Sequence, residues 1–246
     1  MPVFFITSSD IQQDSIQVKD ALFSHLRKSR RVQVGEELWF ADESRRRYRA
    51  KVTHLSSNSL QAKIVQHLTG PSLSSPTLSL AQAVLKGDRM NWVVQKATEL
   101  GITALIPLLS DRVIIRPEPH KMAAYQERWQ RIAQDAAQQS EQWSIPRVTN
   151  LMDIPEVEKE YGRCQGKYIL TERNNAPGLL NIPLSTSPTE HILLMIGPEG
   201  GWTDEELNQT ETLGFSPLSL GHSILRAETA TIAALSLLQG RLGNLG

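Results

Sequence analysis

Two glycine-bearing turns constrain this chain more than any other feature: Gly197-Pro198-Glu199-Gly200-Gly201-Trp202 and Leu220-Gly221-His222-Ser223-Ile224-Leu225-Arg226-Ala227-Glu228-Thr229-Ala230. Each follows a short apolar run and precedes a helical one, the arrangement by which parallel α/β proteins gather loops at the carboxyl ends of their strands. Thr203 followed by Glu206 is a capping-box pair, so the first turn opens directly onto a helix N-terminus. Upstream, short apolar runs at 78–85, 104–108, 168–171, 192–196 and 217–220 alternate with helical patterns from Asp88, around 123–139, from Asp204 and over 227–241. Met90, Val93, Val94, Ala97 and Leu100 fall on one helical face, as do Trp129, Ile132, Ala133 and Ala136. This alternation predicts a parallel sheet flanked by helices.

The turns exclude the familiar nucleotide loops. Neither has the Lys-Ser/Thr pair of a triphosphate site or the G-x-G-x-x-G spacing of a dinucleotide fold, and Glu199 would repel phosphate. Glycines let a ligand approach the backbone, which favours one without a pyrophosphate. S-adenosylmethionine fits that description.

The first seventy residues read differently. Alternating runs at 3–7, 37–41, 48–54 and 60–68 predict a small β-barrel with one helix near 19–27. Thr69-Gly70-Pro71-Ser72-Leu73-Ser74-Ser75-Pro76 is the best linker, which gives domains at 1–72 and 73–246. The net charge of zero hides an asymmetry, with eleven Lys/Arg against seven Asp/Glu in residues 1–72. The excess lies in Arg27, Lys28, Arg30 and Arg31, and in Arg45, Arg46, Arg47, Arg49 and Lys51, with Trp39, Phe40 and Tyr48 between them. Such a mixture suits RNA phosphates and exposed bases, and equally a solvated turn.

The single cysteine, Cys164, excludes an internal disulfide and a cysteine-rich zinc site. The six histidines show no metal-binding spacing, so no metal is expected. The stretch MPVFFITSSD has no basic region followed by a long apolar one, and no segment approaches the roughly 20 apolar residues that cross a bilayer. A cytoplasmic protein without a membrane role is expected.

GPEGGWTDEE at 197–206, SLGHSILRAETA at 219–230, QKATELGI at 95–102, IPLLSDR at 106–112 and RWQRIAQDAAQQS at 128–140 together resemble the RsmE family of SPOUT methyltransferases. HLRKSRRVQVGEELWF at 25–40 is similar to that family's PUA-like RNA-binding barrel, so the resemblance spans nearly the whole chain. It implies a trefoil knot in the C-terminal domain, S-adenosylmethionine held in the knot, and a homodimer with its interface beside the cofactor. It also implies methylation of N3 of a uridine in 16S rRNA on the small ribosomal subunit. Other SPOUT chemistry, on another base or a ribose, and a non-catalytic assembly factor are the competing readings. The chain departs from the family pattern at Val113, Ser223 and Glu141-Gln142-Trp143, where the family commonly has serine, arginine and a nearby arginine. Arg116 or Arg147 could compensate.

The resemblance assigns cofactor contacts to Thr171, Gly197, Glu199, Gly200, Gly201, Leu220, Gly221, Ile224, Leu225, Arg226, Thr229 and Ala230, and RNA contacts to Arg27, Arg30, Arg31, Arg45, Arg46, Arg47 and Arg112. Each also has a plain structural reading. The glycines suit turns, Leu220, Ile224 and Leu225 suit a core, and Asp111-Arg112 suits a surface ion pair. Glu199, Glu228 and Arg226 are the candidates for removing the uridine N3 proton or stabilising the resulting anion, and Arg226 is equally a structural partner for either carboxylate.

Overall fold

The computed structural model describes residues 2–72, 74–114, 116, 118–172, 176–185 and 187–245. Their contacts group into two units, Met1–Ser72 with Ala137–Ser144, and Leu73–Ala136 with Ile145–Gly246. The short segment 137–144, expected in the second domain, thus groups with the first.

The first unit contains β1 (Val3–Phe5), β2 (Ile11–Gln12), β3 (Ser15–Lys19), α1 (Asp20–Lys28), β4 (Glu37–Ala41), β5 (Arg46–Leu55) and β6 (Ser59–Thr69). They form one sheet in the order β1-β4-β5-β6-β3-β2, in which β1 and β4 are parallel and the other pairs antiparallel. Strand alternation sets the faces: Ile16 and Val18 are buried while Ser15 and Lys19 are exposed. Register shifts at Arg49/Ala50 and Val52/His54 bend β5 and let the sheet wrap a core of Phe4, Leu26, Leu38, Phe40 and Leu60.

The second unit runs β7 (Thr77–Ala83), α2 (Arg89–Glu99), β8 (Ala104–Leu108), α3 (Met122–Gln139), β9 (Arg147–Val148), α4 (Ile154–Tyr161), β10 (Gly166–Leu170), β11 (His191–Ile196), α5 (Asp204–Thr212), β12 (Ser216–Leu218) and α6 (Ala227–Arg241). Its sheet is parallel throughout, in the order β12-β10-β11-β7-β8-β9. After β9 the chain crosses to the far side of β7, so β10, β11 and β12 lie together and open their carboxyl ends into one place. The expected stripe of α2 is realised, with Met90, Val93, Val94 and Ala97 buried.

β2 and β3 of the first unit, and β9 and α4 of the second, were not expected. β9 is only two residues long and gives no alternation to read. α4 did carry a signal: Asp153 caps it through Glu156 N–H at 2.9 Å, Glu156 returns the bond to Asp153 N–H at 3.0 Å, and a proline sits in its first turn.

At the start of β11, His191 Nε2 lies 2.7 Å from the Ser79 hydroxyl of β7, and burial pushes the imidazole below its ordinary 6.5. In this window the unfolded chain binds the proton more readily than the folded one. The His191 contribution is therefore complete above about pH 6.5 and is lost as pH falls toward the folded value. Melting curves from pH 7 to 5 should show a decline that shrinks in His191→Gln.

Candidate functional site

Loops leaving β10, β11 and β12 enclose a cavity of about 840 Å³. Residues 170–172 form one wall, 196–202 the second and 219–227 the third, with Ala230 from the first turn of α6. Hydrogen bonds fix the loops to one another. The Thr171 N–H and hydroxyl both donate to the Leu218 carbonyl, at 2.8 and 3.3 Å, and the Trp202 indole donates to the Leu170 carbonyl at 2.9 Å. The Thr203–Glu206 capping box starts α5 as expected, and Glu206 Oε1 also accepts the Asp111 N–H at 3.0 Å. Beneath the floor, the buried Thr231 hydroxyl donates to Gln82 Oε1 at 2.5 Å, and Gln82 Nε2 reaches the Gly197 carbonyl at 3.4 Å. Gln82 lies in a run read only as an apolar strand.

Eleven expected cofactor residues line the cavity: Thr171, Gly197, Glu199, Gly200, Gly201, Leu220, Gly221, Ile224, Leu225, Arg226 and Ala230. Thr229 is exposed and does not line it, and Glu228 is also absent from the lining. Gly221 adopts φ +113°, with open space where a side chain would stand. Only glycine holds that backbone without strain, and it leaves the peptide bare to a ligand. Gly200 is different. A Cβ there would meet the Cβ and carbonyl of Arg112 at 3.0 and 3.2 Å, so its glycine serves loop packing.

The charges are arranged otherwise than their sequence neighbourhood suggests. Arg226 caps α6 without a capping bond, is exposed, and has no ion pair among the described residues. Arg89, which sequence reasoning missed, takes the structural role offered to Arg226. Its Nη1 donates to Glu199 Oε1 at 3.0 Å, and its Nε lies 3.9 Å from Glu228 Oε1. Arg112 donates to the carbonyls of Gly200 and Trp202 at 3.3 and 3.0 Å, while Asp111 pairs with Arg116 at 3.8 Å. The surface pair Asp111–Arg112 is thus replaced by a clamp on the glycine turn. Arg147, the other candidate to compensate for a missing arginine, pairs with Glu160 at 3.2 Å.

Within the first unit the basic run is divided. Arg46 Nε donates to Asp42 at 3.0 Å, and Arg27 donates to the Ser56 and Ser57 carbonyls at 3.3 and 2.9 Å. Arg47 stacks 3.8 Å from the Trp143 ring centre and donates to the Glu141 carbonyl, which ties the departure at 141–143 to β5. Arg30, Arg31 and Arg45 have no ion pair among the described residues, and Arg30 and Arg31 are exposed.

Burial pushes the Cys164 thiol up to about 11, which removes it as a nucleophile at neutral pH. Among the described residues no group of three or more His, Cys, Asp or Glu is placed to hold a metal ion, and no helix is long and apolar enough to cross a membrane.

Comparison with known proteins agrees with this architecture. A family described as the RNA methyltransferase domain matches residues 73–239, and one described as the RNA methyltransferase PUA domain matches 18–65. A ribosomal RNA small subunit methyltransferase E from Synechocystis is 32% identical over 96% of this chain and 77% of its own length. The Bacillus subtilis protein of the same name is 25% identical over 96% and 89%. A crystal structure of the Neisseria gonorrhoeae protein of that name, bound to S-adenosylmethionine, superposes with a TM-score of 0.86 at 31% identity, covering 98% of each chain. With a domain match over well over half of its length and relatives aligned nearly end to end, the chain belongs to the ribosomal RNA small subunit methyltransferase E family of RNA methyltransferases.

Proposed function

We propose that this chain transfers a methyl group from S-adenosylmethionine to N3 of a uridine in the 16S rRNA of the small ribosomal subunit. The observation that carries the reading is the three-loop cavity, in which an open glycine backbone, an apolar slot and unpaired polar groups converge. Its volume falls within the range of small-molecule sites. Leu220, Ile224 and Leu225 supply apolar surface for an adenine, and the peptide at Gly221 is accessible to hydrogen bonding. These residues fit the cofactor. When bound, it supplies an electrophilic methyl on a sulfonium whose S–C electron pair stays on sulfur as the methyl departs.

The chain's own task is alignment and proton removal. The neutral imide N3 has no free lone pair for attack, so its proton must leave. Glu199 lines the cavity and is the proton acceptor in this reading, while Arg226, unpaired at its rim, faces the developing negative charge of the base. The clamps on the loops hold these groups without reorganisation during transfer.

The same reading makes the protein a cytoplasmic homodimer with a trefoil knot. α6 carries apolar residues on all sides, and Leu237, Ile224 and Trp92 of the neighbouring α2 remain exposed, as expected for a surface that a second copy covers. Arg241 near the end of α6 donates to the Leu179 and Ile182 carbonyls at 2.6 Å each, and Leu179 N–H donates to the Ser219 carbonyl at 2.9 Å. These contacts bring described residues between β10 and β11 against the β12–α6 region, which supports the knotted reading.

RNA is held by the first unit and the cavity rim. Arg30, Arg31 and Arg45 are arginines of the first unit that have no ion pair among the described residues. Replacing all three with alanine should weaken RNA binding and flatten its salt dependence by up to about three phosphate contacts, with cofactor affinity unchanged. Filter binding across salt concentrations checks this, and an unchanged slope would assign these arginines to a solvated turn. The function itself is tested by nucleoside mass spectrometry of RNA from cells lacking the protein. Loss of 3-methyluridine is expected. Loss of another nucleoside would indicate a different SPOUT reaction, and no change would indicate a non-catalytic role.

A further inference from the structure

Glu199 lies in the loop after β11 and Glu228 in the first turn of α6, yet both meet the guanidinium that opens α2. Arg89 bonds Glu199 Oε1 at 3.0 Å, the Lys86 backbone N–H donates to the same oxygen at 3.2 Å, and Arg89 Nε stands 3.9 Å from Glu228 Oε1. The second oxygen of each carboxylate is buried and has no hydrogen-bond partner among the described residues. A buried ionic acceptor left unpaired is costly, and such groups persist where a ligand completes them. The two carboxylates are not equivalent. Glu199 lines the cavity and receives two donors on one oxygen, whereas Glu228 does not line it and receives only the longer contact.

We infer that Arg89 is a positioning residue for the transfer step: by fixing Oε1 of Glu199 together with the Lys86 N–H, it holds Oε2 as the acceptor for the proton that leaves uridine N3. Glu228 braces the guanidinium from the opposite side. The inference rests on the methyl-transfer reading proposed above. The proton passes from N3 to Oε2, the N–H electron pair stays on nitrogen and forms the new bond to the methyl carbon, and the carboxyl group later returns its proton to water. One cation shared by two anions leaves the cluster with a single excess negative charge, so a proton is accepted while Arg89 keeps an ionised partner in Glu228.

The Arg89 side chain is 44% exposed, so truncating it leaves no hole in the core. The experiment compares wild type, Arg89→Ala, Arg89→Lys, Glu199→Gln and the Arg89→Ala/Glu199→Gln double variant. It reads single-turnover methyl transfer at saturating cofactor and small subunits, and cofactor affinity by calorimetry. Arg89→Ala should slow transfer about 10- to 100-fold, a fraction of what a general base contributes, with the cofactor Kd moved less than about threefold. Arg89→Lys, which keeps the charge but loses the planar fork, should recover part of the rate. The double variant should be no slower than Glu199→Gln alone, because two residues acting as one unit do not add.

Two results overturn the inference. One is a cofactor affinity that falls in Arg89→Ala as much as the rate, which makes Arg89 a brace for the cofactor. The other is rate losses that multiply in the double variant, which makes Arg89 act independently of Glu199. Either, with an active wild type, leaves the methyl-transfer reading standing. A wild type that transfers no methyl overturns both.

Discussion

Replacing Gly221 with valine should reduce affinity for S-adenosylmethionine on the order of 100-fold or more. The backbone at this position has φ +113°, a conformation that costs a β-branched residue about 1–3 kcal/mol, so the loop must shift or strain. Open space surrounds the site where the new side chain would stand, so no neighbour absorbs the loss by repacking. What the substitution changes is the ligand's access to the peptide in the wall of the cavity. Since about 1.4 kcal/mol is a tenfold change in affinity, strain and blocked access together suffice for the predicted loss. Calorimetry measures it, and thermal melting verifies that the variant is folded. A folded Gly221→Val protein with unchanged cofactor affinity would remove this turn from the binding site. Gly200→Val is a less direct probe, because its side chain would first displace Arg112.

The second large effect concerns chemistry and not binding. Glu199→Gln keeps the size of the side chain and can retain a bond from the Lys86 N–H, but it cannot take the uridine proton. Single-turnover transfer should fall by about 10²- to 10⁴-fold with cofactor affinity nearly unchanged. The lost rate should return in part at higher pH, where more of the uridine ionises without help. Glu228→Gln should have a smaller effect, since Glu228 is absent from the cavity lining. Normal rates in Glu199→Gln at every pH would exclude this carboxylate as the base and give the larger role to anion stabilisation by Arg226.

Much of this site was legible in the sequence because its parts are local. Strand, glycine turn and helix are contiguous, so the loops at 197–202 and 220–230 could be placed at strand ends, and the capping box at Thr203 found from its spacing. The helical stripes of α2 and the bounds of α6 followed from periodicity in the same way. What escaped depends on pairs remote in sequence. Arg226 stands two residues from Glu228 and looked like its partner, but at the start of a helix this spacing does not bring side chains together. The actual partner, Arg89, is 110 positions from Glu199 and meets it only because β7 and β11 are neighbours in the sheet.

The arginine run at 45–47 misled for a related reason. Read as a cluster it suggests one basic surface, but successive residues of a strand face opposite sides. Arg46 goes to the buried Asp42 and Arg47 to Trp143, a residue whose position beside β5 no local pattern announces. Among the described residues, the arginines of the unit without an ion pair therefore include Arg30, Arg31 and Arg45 but not the contiguous triplet.

The most direct test of the account is in vitro. Small ribosomal subunits from cells lacking the protein are incubated with the purified chain and S-adenosylmethionine carrying an isotopically labelled methyl group, and the RNA is digested to nucleosides for mass spectrometry. The account predicts label in 3-methyluridine, close to one per subunit and absent when Glu199→Gln replaces the wild type on the same timescale. Label in a 2′-O-methylated or different base-methylated nucleoside, or no label at all from a protein that binds the cofactor, would contradict it.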